Sequence, residues 1–513
     1  MKTMKKLDFK ILPKTGITLL VCFISTFGCN DDFLAEGNPS SPSVTTSFNN
    51  EAEAESAVFG IYAALQGNDT WARFYWWIPD MLSDECQTAG PQLVSFLNDM
   101  LNYNIDSSSR LISSVWRGLY RIIHRANFVI YTLPDKENPE LPAETIEKLV
   151  AEAKFLRALC YFELVTYWGA VPFPTEPVTG ADGVPMAESE EAIYNLILED
   201  LAAAEAGLPS VSDYRGTSNL GRATKGAAQA LAGKVEYYRG NYQAAKIHLD
   251  KVIASGNYDL TPTYEENHQE ENENNIESIF EVQFGLYESG NQGWSNSGDG
   301  GKIEQLRSHE YSPHVWHNTI PSEILKAAFE DDDPRYKASF IEYGDTYGAN
   351  NEAVFDASKV AQGITEIPTH WKKYGYEYKN TSPGLFSGIN LRVVRYADVL
   401  LMMAEIETEI NGPSAVALNY LNSTRTRVGM PNYPTAEYPT DTKEQMIAAI
   451  IHERQVELNS EQIRARDVKR WFREGKIGQP HPNYEPKHEF LPIPIDEIDN
   501  NAAIDDTDQK PGY

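Results

Sequence analysis

The sequence predicts a mainly α-helical protein, an α-superhelix of stacked helix pairs with one irregular, partly β insertion. Three observations carry that reading. Apolar residues recur at three- and four-residue spacing through most of the chain, the period of a half-buried helix. The stripes come in neighbouring pairs divided by short polar or glycine breaks, as in helix hairpins that bury their faces by stacking. Residues 261–390 lose the period and become rich in Asn, Asp, Gly and Ser. The 513 residues are 42% apolar and include 20 Phe, 28 Tyr and 9 Trp, which supplies a large core and excludes a disordered chain. Lys and Arg number 44 against 74 Asp and Glu, a formal charge of −30. No nucleic-acid partner is expected from that balance, because phosphate contacts need a basic surplus. Four cysteines rule out a disulfide scaffold.

Taken in chain order, residues 1–28 read as a signal segment. Lys2, Lys5, Lys6, Lys10 and Lys14 precede a short apolar run from Ile17 to Phe27 that is too brief to span a bilayer. Gly28-Cys29 at its end resembles a bacterial lipobox, which implies that Cys29 is lipidated and becomes the mature N-terminus. Residues 29–50, rich in Ser, Thr, Asn and Pro, predict a flexible tether. A helical region over 51–260 follows. Its first stripe is Ala54, Ala57, Val58, Ile61, Tyr62 and Leu65, and further helices are expected at 109–133, with Trp116, Leu119, Tyr120, Ile123 and Phe128 inward, at 144–168 and at 189–206. The clearest pair runs through Ala228, Leu231, Val235 and Tyr238, breaks at Gly240, and resumes at Ala245, Leu249 and Val252. Its small residues let two backbones approach, and it resembles a tetratricopeptide unit. Within the insertion, Ile279 to Phe284 predicts a strand and Asp331 to Asp333 a turn and helix cap. A C-terminal helical region, 391–513, carries helices at 393–410 and 414–427 and one long helix over 442–472. Cys160 reads as a buried small hydrophobe, and whether Cys86 and Cys160 pair is open.

Several segments together resemble the SusD/RagB family of nutrient-binding outer-membrane lipoproteins. They are Arg395 to Glu405, Leu421-Asn422 with Arg425 and Arg427, Ile451-His452-Glu453-Arg454, and Asp467-Val468-Lys469-Arg470-Trp471. The ending Leu491-Pro492-Ile493-Pro494 and Pro511-Gly512-Tyr513 belongs with them, as do Glu152 to Ala158, Trp168 to Pro172 and Gly221 to Ala228. One departure stands out: Asn459 to Arg464 lacks the glycine usual before the Asp-Leu-Lys-Arg-Trp run, which predicts altered packing there. Asn30-Asp31-Asp32 is similar to the acidic tag that directs lipoproteins of the Bacteroidetes to the cell surface. The resemblance implies a surface-exposed, lipid-anchored protein of the outer membrane. It would capture a nutrient, commonly a glycan, and serve a SusC-like TonB-dependent transporter barrel, with no catalysis. Peptide capture is the alternative within the family, and a surface glycoside hydrolase the alternative outside it.

Aromatic side chains on irregular segments are the candidate ligand contacts, because sugar rings stack flat C–H faces on aromatic planes and need polar groups at the rim. Trp71, Phe74, Tyr75, Trp76 and Trp77 crowd into seven positions around Arg73, while Tyr287, Trp294, Tyr311 and Trp316 fall in the insertion. Phe74 and Trp76 are assigned to the core. Trp71, Arg73, Trp77, Tyr287, Trp294 and Trp316 are the candidate glycan contacts, with Asn291, Gln292 and Asn318 as polar neighbours. Glu453, Arg454, Asp467 and Arg470 read as ion pairs along one helix face rather than as catalytic groups. His314 and His317, with His309 nearby, lack the Cys or compact carboxylate partners of a metal site, so no metal and no cofactor is expected.

Overall fold

The computed structural model describes residues 48–88, 95–135, 140–286, 304–361, 366–382 and 387–513. The lipobox, Cys29, most of the tether, Tyr287, Asn291, Gln292 and Trp294 lie outside the described residues. Helix α1 (Glu51–Leu65) opens the body, capped by the Asn50 side chain, which accepts from the Glu53 N–H. The remaining helices of the first half are α2 (Trp77–Met81), α3 (Ser95–Leu101), α4 (Arg110–Thr132), α5 (Ala143–Trp168), α6 (Glu190–Gly207), α7 (Val211–Tyr214), α8 (Lys225–Tyr238) and α9 (Tyr242–Ala254). The middle contributes α10 (Arg307–Tyr311), α11 (Glu323–Ala328) and α12 (Pro334–Ser339). The C-terminal part supplies α13 (Tyr396–Asn411), α14 (Ala415–Val428), α15 (Lys443–Leu458), α16 (Arg464–Arg473) and α17 (Ile495–Asn500). Asn50–Tyr513 forms one unit.

The expected stripes face inward. Ala54, Val58, Ile61 and Leu65 of α1 are buried, as are Trp116, Leu119 and Ile123 of α4 and Phe155, Leu159 and Phe162 of α5, while Ala57, Tyr62, Tyr120 and Phe128 are half-buried at the stripe margins. In the tetratricopeptide-like pair α8–α9, Gly233 sits against Leu249, and a Cβ there would overlap that side chain. The small residue sets how closely the two helices pack. Cys86 and Cys160 are both free and buried.

Strands occur only as two-stranded antiparallel ribbons among the described residues. β1 (Cys86–Thr88) pairs with β3 (Thr319–Pro321), and β2 (Ser278–Val282) pairs with β8 (Leu391–Arg395) through an irregular register. β4 (Phe340–Glu342) pairs with β7 (Thr369–Trp371), and β5 (Thr346–Tyr347) with β6 (Ala353–Val354). The β1–β3 ribbon ties the turn after α2 to the insertion, while β2–β8 sets up the entry to α13. The Asp333 side chain accepts from the Arg335 N–H and caps α12, as the acidic turn predicts.

Two expectations are corrected. The long helix over 442–472 is two helices, α15 and α16, separated at Asn459–Ile463. Ser460 and Gln462 both take left-handed backbone, with φ of 61°. Long-range partners hold this break. Glu85 accepts from the Ser460 N–H at 2.9 Å, Arg307 Nη2 donates to the Ser460 carbonyl at 2.5 Å, and the Gln462 amide donates back to the same carbonyl at 3.1 Å. Gln462, in the segment that lacks the family's glycine, therefore adopts a conformation glycine would enter freely. The second correction concerns Glu453, Arg454, Asp467 and Arg470, whose main partners lie across elements rather than along one face. Glu453 accepts from Arg335 at 2.6 Å, Arg454 bridges Asp398 and Asp467 at 3.0 and 2.8 Å, and Arg470 meets Glu405 at 2.8 Å.

Beside this break, burial pushes the Glu85 carboxyl up to about 8 from 4.5, despite the nearby Arg464 charge. A folded-state pKa raised above the unfolded value contributes stability that is full below the unfolded pKa and is lost as pH rises through the folded one. Glu85→Gln is therefore expected to gain on the natural protein from pH 5 to pH 8, and then level off. Thermal unfolding at four pH values checks this; a difference that does not change with pH refutes it.

Candidate ligand site

The chain between α1 and α2 folds into consecutive turns. Thr70 Oγ1 donates to the carbonyls of Ala64 and Leu65, each at 2.8 Å, and pulls residues 66–76 against the end of α1. The insertion joins them through the Leu306 N–H, which donates to the Ala72 carbonyl at 2.9 Å. This junction decides which rings of the aromatic cluster are covered.

Trp71 and Trp77 are only 3% and 1% exposed, which corrects the expectation that they present a platform. Trp71 stacks on Tyr75 with centroids 4.4 Å apart, and Trp77 stacks on Tyr311 of α10 at 5.0 Å. Trp77 is thus covered by α10 and Trp71 by a ring of its own segment. Trp76 and Phe74 are buried as assigned.

Trp316 remains open, with 36% of its surface exposed. It follows α10 on an irregular turn whose next residue, His317, has a φ of 50°. The Trp316 N–H donates to the His309 carbonyl at 3.1 Å, and the His309 ring packs against the indole at 4.5 Å. Burial, with the Arg73 charge adding to it, pushes the His309 pKa down to about 4, so the ring backing Trp316 is neutral at pH 7. The Arg73 guanidinium lies 5.7 Å from the Trp316 centroid and 5.1 Å from that of Phe74. Its Nε donates to Glu310 at 2.7 Å, and Glu310 also accepts from the Asn318 amide. Arg73 and Trp316, two of the six expected contacts, are thus brought together, and Asn318 fixes them from behind.

Three site residues escaped the sequence reading. Arg110, the first residue of α4, lies 5.7 Å from the Phe74 centroid, and Phe96 of α3 meets Phe74 edge-on at 6.2 Å. Glu310 is the carboxylate that anchors Arg73. Beyond Phe74, a cleft of about 260 Å³ is lined by Ser95, Phe96, Asp99, Asn104, Asp106 and Arg110. Asp106 accepts from the Ser108 hydroxyl at 2.6 Å, which orients one wall. A row of rings and guanidinium groups therefore runs from Trp316 through Arg73 and Phe74 to a small cleft rich in hydroxyl, amide and carboxylate groups. That mixture suits a ligand with flat apolar faces and polar edges.

Two pairings involve the histidines of the insertion. His317 and His370 share a hydrogen bond of 2.8 Å, and His314 stands 3.7 Å from Glu377. Among the described residues no group of three or more His, Cys, Asp or Glu is placed to hold a metal ion, and no helix is long and apolar enough to cross a membrane.

Comparison with known proteins matches residues 254–513 to a family described as the SusD family, and residues 32–237 to one described as starch-binding and associating with the outer membrane. SusD-like protein P25 of Formosa agariphila is 26% identical, over 96% of this chain and 98% of its own length. A solved laminarin-binding SusD-like protein is 27% identical with a TM-score of 0.72, covering 91% of this chain and 100% of its own. A SusD superfamily protein from Bacteroides vulgatus shares the fold at a TM-score of 0.74, with 22% identity over 91% of this chain and 100% of its own. The chain belongs to the SusD family.

Proposed function

We propose that this protein binds an oligosaccharide at the cell surface and passes it to a SusC-like TonB-dependent transporter barrel, while held to the outer membrane by a lipid on Cys29. The observation that supports this reading best is the exposed Trp316 ring, backed by His309 and flanked by an Arg73 that Glu310 fixes in place. Such a ring offers a sugar its exposed portion for stacking, with the Arg73 guanidinium 5.7 Å from its centroid as a charged neighbour. The similar laminarin-binding protein makes laminarin the first ligand to test. Binding without hydrolysis is favoured because Glu85, Glu273 and Glu377, which burial drives up to about 8, 8 and 7, do not line the cleft, and Glu310, which burial also drives upward, is tied to Arg73 and Asn318. A glycosidase needs such a group facing its substrate.

Trp316→Ala is expected to weaken glycan binding by about 2 kcal/mol, roughly thirtyfold, with the unfolding temperature nearly unchanged. Trp77→Ala serves as the contrast. It removes a ring buried against Tyr311 and is expected to cost about 3–5 kcal/mol of stability. Calorimetric titration and thermal unfolding of both variants check the assignment, with a peptide library as the control ligand. Normal glycan affinity in Trp316→Ala refutes it. For the transporter, a pull-down from solubilised outer membranes is expected to recover a large barrel protein across an interface above about 1,000 Å².

A further inference from the structure

Helix α4 stands apart electrostatically from the rest of the chain. It carries Arg110, Arg117, Arg121 and Arg125 with His124 and no Asp or Glu, in a protein whose formal charge is −30. Its inner face is filled by Trp116, Leu119, Ile122 and Ile123. Its outer face presents Arg110, Arg117, His124 and Tyr131, each seven residues from the next and all exposed, Tyr131 by 51%. Seven residues are two helical turns, so the four form one straight ridge with steps of about 10.5 Å.

The arginines of this ridge are unusual in a second way. Among the described residues, the other arginines are engaged by carboxylates or carbonyls. Arg121 meets Asp69 at 3.1 Å through Nη1, and Arg125 donates to the Gly60 carbonyl at 2.6 Å. Arg215 donates to Asn257, and Arg239 and Arg473 pair with Glu191 and Glu489. Among the described residues, Arg110 meets only the Phe74 ring and Arg117 meets no carboxylate or carbonyl. Two exposed guanidinium groups without a carboxylate partner among the described residues thus stand on one line of an acidic protein, a place where an anionic ligand can be met. Arg110 also lines the cleft beyond Phe74, so the ridge begins at the candidate ligand site and leads away from it.

We propose that the ligand is an anionic polysaccharide, bearing carboxylate or sulfate groups, whose chain leaves the cleft at Arg110 and runs along α4 past Arg117 and His124 to Tyr131. The inference rests on the reading of the Trp316 cleft as a glycan site and adds the charge and the path of its ligand. The ridge step is close to the length of a disaccharide in an extended chain, so a polymer charged once per disaccharide repeat can place successive anions at Arg110 and Arg117, with the His124 ring as a further polar contact. Tyr131 offers a stacking face at the far end. Guanidinium groups suit both anions, since each accepts paired N–H donors.

The test is calorimetric titration of the purified protein with three oligosaccharide series: uronate-bearing alginate, sulfate-bearing carrageenan and neutral laminarin. Each is run at low salt and at about 150 mM salt, where exposed charges are screened beyond roughly 8 Å. At least one anionic series is expected to bind more tightly than laminarin and to weaken with salt, and the two anionic arms separate carboxylate from sulfate. Arg117→Glu, which touches neither Trp316 nor the cleft, is expected to weaken the anionic ligand about tenfold while leaving laminarin affinity and the unfolding temperature unchanged. If laminarin binds at least as well as both anionic series, or if Arg117→Glu changes nothing, the ridge proposal fails and the glycan site stands. Arg117-dependent binding to anionic lipid vesicles, without an effect on any glycan, also overturns it by assigning the ridge to the membrane surface. Failure of all three series to bind sinks the glycan reading itself.

Discussion

Replacing Arg395 with alanine is expected to remove about 3–5 kcal/mol of stability, the range for breaking a buried ion pair from one side. Arg395 closes β8 and is 1% exposed. Its guanidinium reaches three carboxylates: Glu277 at 2.6 Å, Glu457 at 2.7 Å and Glu461 at 2.7 Å, and it also donates to the Glu457 carbonyl. Burial alone would raise the Glu457 carboxyl. Arg427, Arg395 and Arg335 together hold it well below the usual carboxylate range instead. Removing one of those three cations leaves buried carboxylates that Arg427, Arg335 and Lys373 only partly offset. Those carboxylates should then take up protons at higher pH than in the natural protein. A raised folded-state pKa contributes stability at low pH that is lost as pH rises, so the deficit of Arg395→Ala should shrink between pH 7 and pH 5. Arg395→Lys keeps one charge but cannot span three acceptors, and should fall between the two. Denaturant titrations at both pH values measure these differences; a loss below about 1 kcal/mol for Arg395→Ala refutes the account.

This network shows where local reading of the chain stops. Glu453, Arg454, Asp467 and Arg470 have spacings that fit surface pairs on a helix, and nothing in the spacing reveals that Arg335, Asp398 and Glu405 converge on them from other elements. The helices themselves were legible, because each stripe such as Ile193, Ile197, Leu201 and Ala204 needs only its own period. The break at Asn459–Ile463 was not, because Glu85, Asp80 and Arg307 stabilise it from more than 100 residues away. The ligand site divides in the same manner. Trp316 and Arg73 could be named from their irregular, polar surroundings. Trp71 and Trp77 look identical to them in sequence, yet the packing of Tyr311 of α10 against Trp77 decides that ring is core. Phe96 and Arg110 carry no local signal, and become site residues only where α3 and the start of α4 meet Phe74.

Deleting residues 485–513 is expected to abolish cooperative folding. This segment contains no long helix, but it runs back over the first half of the chain and completes its core. Leu491 and Ile493 are buried, and the Leu491 N–H donates to the Tyr167 carbonyl at 2.7 Å. Trp168 donates through its indole nitrogen to the Pro492 carbonyl at 3.1 Å, and Trp116 donates to Glu497 at 3.1 Å. Both indoles are fully buried, and the segment supplies their hydrogen-bond acceptors as well as part of their cover. Loss of two buried aliphatic side chains costs about 1.5–3 kcal/mol each. Two stranded indole N–H groups add about 1–3 kcal/mol each. The sum, roughly 5–12 kcal/mol, matches the whole stability of a typical folded domain. The truncated chain should therefore accumulate as insoluble protein or unfold without a cooperative transition. Ile493→Ala provides a milder probe that still folds, with an expected loss of about 2–5 kcal/mol. If the truncated protein unfolds at the natural midpoint, or Ile493→Ala is neutral, the C-terminal segment is a passenger on the fold; the buried indoles that depend on it for their acceptors argue that it is a wall of the core.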